Sequence, residues 1–304
     1  MNNFSLILRC IKSFSVFLML LFFNILYAQN ESYKNRVAIQ HDNDLYFGTD
    51  LYYSAGNFVN YTRVLKPLNK THERQLKFEI GQQTFTPSRK SKPDTTRFDR
   101  PFAGWLYLSA QYKITSINKS IGLQTEVGLV GPQSLAGNVQ KSYHKFIGED
   151  IPSWYLEIPN NFHINFKGNY IKGFLDNKLI TISETSLGSK DIFVSNGVSF
   201  LFAKERNFLK NSFNNRIGSL TSDFFFSAGA KHKYVFYNSL IEGDLFNNKA
   251  LFIKKTQPNL FVANVDFFYR WNSYSIYISY QFNTKEVIKA KPQSYLAIAL
   301  STFF

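Results

Sequence analysis

Segments of about ten residues in which apolar and polar side chains alternate recur along this sequence, and a period of two is the signature of β-strands exposed differently on their two faces. In Leu260–Trp271 one face carries Phe261, Ala263, Val265, Phe267, Tyr269 and Trp271, while the other mixes Asn264, Asp266 and Arg270 with Leu260, Val262 and Phe268. Tyr274, Ile276, Ile278, Tyr280 and Phe282 then oppose Ser273, Ser275, Ser279 and Gln281. In His163–Tyr170, Ile164, Phe166 and Tyr170 oppose His163, Asn165, Lys167 and Asn169. The aromatic faces suit lipid contact and interfacial girdles better than the buried faces of a soluble sandwich. Twelve such segments are predicted, at about 36–43, 56–66, 75–86, 104–116, 119–131, 161–174, 178–188, 191–204, 220–237, 258–271, 273–283 and 293–304. Twelve is even, as a single-chain bacterial barrel requires. The expected fold is therefore an all-β, twelve-stranded antiparallel transmembrane barrel.

Composition supports this. Aromatics make up 17% of the chain, with 32 Phe and 18 Tyr, yet the mean hydropathy is −0.21. The final segment alternates Leu296, Ile298 and Leu300 and ends on Phe304, like the last strand of many outer-membrane barrels. At the other end, Arg9 and Lys12 precede the apolar run Ser13–Tyr27, and Ala28 follows at a plausible cleavage position. The run falls short of the roughly 20 residues of a spanning helix. Residues 1–28 therefore read as a secretory signal peptide and 29–304 as one barrel domain. Cleavage would remove Cys10, the only cysteine, so thiolate metal sites and cysteine nucleophiles are excluded from the mature chain. The formal charge of +14 points to an anionic membrane surface; nucleic acid is not an expected partner of an exported protein.

One stretch breaks the alternation. From Gln133 to Ile147, Leu135, Val139, Tyr143, Phe146 and Ile147 follow helical spacing, which predicts a short amphipathic helix after the fifth strand. Gln140 and His144, four apart, share a face beside that stripe. The stretches 205–219 and 238–257 read as loops.

Polar residues with chemical potential sit between strands. His41-Asp42-Asn43-Asp44 offers oxygen ligands for a hard cation, or forms an Asx-rich turn. His144 is a general-base candidate, or a solvated helix residue. Lys90, in Arg89-Lys90-Ser91-Lys92, is an exposed loop cation or a phosphate ligand. If export leaves the N-terminus periplasmic, Asp44, Ser54, Lys90 and His144 all fall at the extracellular rim. No Gly-x-Ser-x-Gly elbow is present to place a serine nucleophile.

At these residues the sequence resembles the outer-membrane lipid A 3′-O-deacylase family. The resemblance runs through His41-Asp42-Asn43-Asp44 with Thr49-Asp50-Leu51-Tyr52-Tyr53-Ser54-Ala55-Gly56, then Asp99-Arg100-Pro101-Phe102-Ala103-Gly104-Trp105, then Val130-Gly131-Pro132 to Gln140, His144 and Gly148. It covers the N-terminal half of the mature chain; the C-terminal half matches only as barrel strands. It implies a twelve-stranded barrel that hydrolyses the 3′-linked acyl ester of lipid A in lipopolysaccharide and depends on calcium. It further implies that Asn43 and Asp44 belong to the calcium and active-site cluster, that His144 activates water, and that Lys90 binds a lipid A phosphate or the carbonyl region. Glu149 or Asp150 is the implied orienting acid. Ser54 stands where the family usually has threonine, and Arg89 or Lys92 can substitute for Lys90 because the loop length differs. Two other readings compete: an outer-membrane phospholipase, and a non-catalytic channel whose lumen Asn264, Asp266 and Arg270 would line.

Overall fold

The computed structural model describes residues 33–47, 49, 51–69, 71–91, 93–246 and 249–304. The segment read as a signal peptide, residues 1–28, lies outside the described residues, as does Lys92.

Twelve antiparallel strands close into a barrel in which each pairs with its neighbours in sequence and the first pairs with the last. They are β1 (Asn35–Asn43), β2 (Tyr52–Asn69), β3 (His72–Thr86), β4 (Ala103–Thr115), β5 (Lys119–Val130), β6 (Asn161–Phe174), β7 (Leu179–Gly188), β8 (Asp191–Ala203), β9 (Ser222–Asn238), β10 (Asn259–Trp271), β11 (Tyr274–Asn283) and β12 (Gln293–Phe303). Closure leaves no unpaired edge, which a strand in hydrocarbon cannot tolerate. The largest departure from the expected spans is in β2, which starts at Tyr52 rather than near residue 56. A register shift between Tyr53 and Ala55 interrupts the pleat there, and with it the alternation that marks a strand in sequence.

The alternation sorts the two faces as expected. On β10, Phe261, Val265, Phe267, Tyr269 and Trp271 are exposed on the outer wall. Asp266 points inward and accepts hydrogen bonds from Ser279 (2.6 Å), Asn264 (2.7 Å), Ser227 (2.8 Å) and Tyr277 (3.0 Å). The lumen also holds ion pairs, Lys77 with Glu79 at 2.6 Å and Lys167 with Glu126 at 2.7 Å. Such pairing offsets the cost of charges held away from bulk water.

The start of β1 and the end of β12 meet at one rim, where the backbone N–H of Asn35 donates to the carbonyl of Phe304 at 2.8 Å; this is the terminal rim. At it, residues 204–221 between β8 and β9 have neither helix nor strand, in keeping with the expected loop. They are nevertheless folded into the barrel. Phe208 and Phe213 pack against Ile171, Ile180, Leu201, Phe225 and Phe268. Arg216, 1% exposed, pairs with Glu73 of β3. Lys113 of β4 donates to the carbonyl of Asn214 at 2.8 Å, and Arg270 of β10 to that of Ile217. Anchors on such widely separated strands make this loop a plug across the terminal rim.

The opposite rim carries the longer connections. The stretch 238–257, expected to be loop throughout, begins with a helical turn, α2 (Ser239–Glu242), whose first turn is capped by the Asn238 side chain accepting from the Leu240 N–H at 3.0 Å. Four residues are too few to show a helical period. Leu240 packs with Trp105, Val130 and Ile158. The expected helix after β5 is present as α1 (Ala136–Ile147), preceded by a 3-10 turn, Pro132–Ser134.

Candidate functional site

Helix α1 lies against the outside of the barrel wall. Phe78 and Ile80 are exposed outer residues of β3, so the alternation turns Gln82 and Thr84 outward as well. The Gln82 side chain donates to the carbonyl of Ser134 at 2.7 Å. Thr84 pairs with Gly104 of β4. A Cβ on Gly104 would come within 2.0 Å of Ser134 Oγ and 2.5 Å of Ala136 Cβ. Glycine at 104 therefore lets the start of α1 sit directly on the wall. The helix stops at Gly148, whose φ of 76° is left-handed and whose N–H caps the carbonyl of His144.

The buried face of α1 is Ala136, Gln140, His144 and Ile147. Of the predicted apolar stripe only Ile147 belongs to it; Leu135, Val139 and Phe146 are exposed, Phe146 by 73%. The helix has thus turned its two polar residues toward the protein. Their hydrogen bonds make that possible. Gln140 Nε2 donates to Ser54 Oγ at 3.0 Å, and Gln140 Oε1 accepts from Trp154 Nε1 at 2.8 Å. His144 Nδ1 lies 2.7 Å from the carbonyl oxygen of Asp150. A carbonyl can only accept, so Nδ1 carries the proton and Nε2 is the basic nitrogen of the neutral ring.

Asn43 ends β1 and Asp44 follows it, and Ser54 stands beside Ala55, the cross-strand partner of Asn43. The β2 bulge places Ser54 under Gln140. Asn43 Oδ1 accepts from the Leu45 N–H at 2.7 Å. Asp44 is fully buried; its Oδ2 accepts from the Leu51 N–H at 2.8 Å and Thr49 Oγ1 at 3.0 Å. The Asx turn is therefore real, and it fixes the carboxylate. Asp42 faces the lumen instead, taking a 2.8 Å hydrogen bond from Tyr53. Lys90 approaches from the β3–β4 loop, its carbonyl accepting from the Ser153 N–H at 2.7 Å.

The structure thus brings Ser54, beside the end of β1 that carries Asn43 and Asp44, into contact with the buried face of α1, which carries Gln140 and His144; Lys90 is tied to the following loop by its backbone. The structure treats the two orienting acids differently from expectation. Glu149 and Asp150 are both exposed, and what Asp150 presents to His144 is its backbone carbonyl. The bridging role of Gln140 was not assigned in sequence, although its spacing from His144 was the available signal. The Asp99–Trp105 motif proves to be a staple. Asp99 accepts from Ser88 Oγ at 2.6 Å and Tyr52 at 2.8 Å, and buried Arg100 pairs with Glu286 at 3.1 Å. Phe102 packs on Trp154, ring centres 5.2 Å apart. Beside the helix, burial pushes the Glu157 carboxyl up to about 7, with Lys141 opposing.

As a cation site, the cluster offers one buried carboxylate, one amide oxygen and one hydroxyl. Among the described residues no group of three or more His, Cys, Asp or Glu is placed to hold a metal. An all-oxygen set fits calcium, which also takes backbone carbonyls and water, and does not suit a soft metal.

A model of the family described as outer membrane protein LpxR matches residues 14–304. The chain belongs to that family. Membership makes it an outer-membrane protein of the lipid A deacylase group, with lipid A as its substrate class. The solved structure of LpxR from Salmonella typhimurium covers 88% of this chain and 100% of its own, at a TM-score of 0.72 and 20% identity. That likeness shows the LpxR barrel. Two other solved barrels match loosely. The beta domain of the Bordetella autotransporter BrkA covers 90% of this chain and 100% of its own (TM-score 0.44, 7% identity). An outer membrane channel from Pseudomonas putida F1 covers 92% and 100% (TM-score 0.43, 10% identity). No curated protein matches the chain in sequence.

Proposed function

We propose that this protein hydrolyses the 3′-linked acyl ester of lipid A with water activated by His144, at a site on the outer wall that faces the cell exterior. The observation that carries the reading is the placement of His144: buried on the inner face of α1, its Nδ1 anchored on a carbonyl, one turn along the same face from Gln140, which bonds Ser54. Nε2 takes the proton of an attacking water. The water oxygen bonds to the acyl carbon, the ester C–O bond breaks, and the proton returns to the sugar oxygen. The acyl chain leaves as a fatty acid.

Asn43 and Asp44 would hold calcium through their side-chain oxygens, with the Ser54 hydroxyl beside them. Calcium bound there supplies the positive charge that polarises an ester carbonyl. The Asx turn holds the Asp44 carboxylate ready, and the Lys90 ammonium receives a lipid A phosphate. The outward orientation rests on a periplasmic N-terminus, which makes the rim at Asn43 extracellular. The channel reading finds no support in a lumen that is ion-paired and plugged at the terminal rim.

Mass spectrometry of lipid A tests the proposal. Cells making the protein are expected to lose the 3′ acyl mass, and cells making His144→Ala are expected to keep it. An unchanged acyl pattern with the barrel folded in the outer membrane sinks the reading. Loss of activity in EDTA, restored by calcium but not by magnesium, tests the cofactor.

A further inference from the structure

The exposed surface of α1 has two unlike flanks. At about 3.6 residues per turn, Leu135, Val139, Tyr143 and Phe146 fall on one side of the buried face, and Lys141, Lys145 and Asn138 on the other. The polar flank is the one beside the rim loops. Gly137 lies against the Trp154 ring, and Lys141 is close enough to Glu157 to act on its carboxyl. The apolar flank therefore faces the opposite way, toward the middle of the barrel wall.

The wall beneath has a matching gap. A strand needs about 9–11 residues to cross the hydrocarbon layer. Counting outward positions of β3 from Arg74, such a span passes Phe78 and Ile80 and takes in Gln82 and Thr84, which are polar. Those two positions are where the β5–β6 loop is anchored, through Gln82 to Ser134 and through the Thr84–Gly104 pair under Ala136. The helix covers polar wall and offers Val139 and Phe146 in its place.

We infer that α1 is an interfacial helix set into the outer leaflet, its Leu135–Val139–Phe146 flank continuing the barrel's lipid-facing band and its Lys141–Lys145 flank turned to water. A helix with one apolar and one basic flank lies in the membrane plane with its apolar side a few ångströms into the acyl boundary. The occupant is bulk membrane lipid. The inference stands apart from the hydrolysis proposed above, because it concerns depth in the bilayer and not turnover.

Single cysteines at Val139, Phe146, Lys141 and Lys145, in a Cys10→Ser background, allow a direct test. Each is labelled with bimane, and the barrel is reconstituted in phosphatidylcholine vesicles free of lipid A, with retention of fold checked by circular dichroism. Brominated acyl chains are expected to quench the labels at Val139→Cys and Phe146→Cys about twofold or more beyond those at Lys141→Cys and Lys145→Cys. Aqueous iodide is expected to show the reverse order. Equal quenching at all four sites overturns the inference. So does quenching at Val139→Cys and Phe146→Cys that appears only when lipid A with brominated chains is added, since the flank then covers a substrate chain and not bulk lipid.

Discussion

The loop between β5 and β6 and the loop between β8 and β9 leave the barrel at opposite rims and return to it by opposite routes. The first climbs outside the wall and buries the polar pair Gln140 and His144 while exposing Val139 and Phe146. The second turns inside the lumen and buries Phe208, Phe213 and Ile217. Each loop matches its polarity to its surroundings, and the surroundings are inverted. The inner loop buries its apolar side chains against apolar lumen-facing residues of β6 to β10, whereas a helix on the outer wall can leave apolar side chains exposed and keep its seam for chemistry. The barrel wall between them presents a different environment on each side.

The comparison can be broken at several points. His144→Ala is expected to lower lipid A deacylation by about 10²–10⁴-fold, with the unfolding midpoint in detergent nearly unmoved. A large loss of stability instead would mean that α1 is structural. Phe213→Ala is expected to act the other way. Its ring is buried between Phe208 and Phe225, so truncation should destabilise the fold by about 3–5 kcal/mol in urea titration, while activity per folded molecule stays unchanged. Gly104→Ala tests the seam. The added Cβ meets Ser134 Oγ at 2.0 Å and should lift the start of α1 off the wall. Deacylation is expected to fall roughly tenfold, on the scale by which small displacements cost activity, with little change in unfolding.

The smallest effect concerns pH. Glu157 has a carboxyl raised from 4.5 to about 7 in the folded protein, by burial. The folded state therefore holds the proton more tightly than the unfolded chain, and ionisation costs stability. The thermal midpoint should be highest near pH 4.5, fall as the pH rises toward 7, and level off above. Glu157→Gln should flatten that slope; an unaltered slope would assign the pH dependence to other groups.

Much of this was legible in the sequence. A period of two records which side of a strand meets lipid, so all twelve strands could be placed from alternation alone. The bulge at Ser54 could not, because it consists of a break in that period. For α1 the helical period was plain but its direction was not. Leu135, Val139 and Phe146 make an apolar stripe in any solvent, and only the neighbour decides whether the stripe goes in or out. Phe208, Phe213 and Ile217 share no period, so the plug read as an ordinary loop. In the candidate site, Asn43, Asp44 and His144 were marked by side-chain chemistry. The partner of His144 Nδ1 is a backbone carbonyl, which every residue has and which no sequence can single out.

The position of the Gln140–His144 seam also sets how many dimensions a substrate has to search. A molecule on the barrel axis is separated from that seam by the strands themselves. A molecule embedded beside the wall reaches it by sliding in the plane of the leaflet. The rate of encounter then follows the crowding and packing of neighbouring lipids in that plane, and dilution of the surrounding water leaves it unchanged.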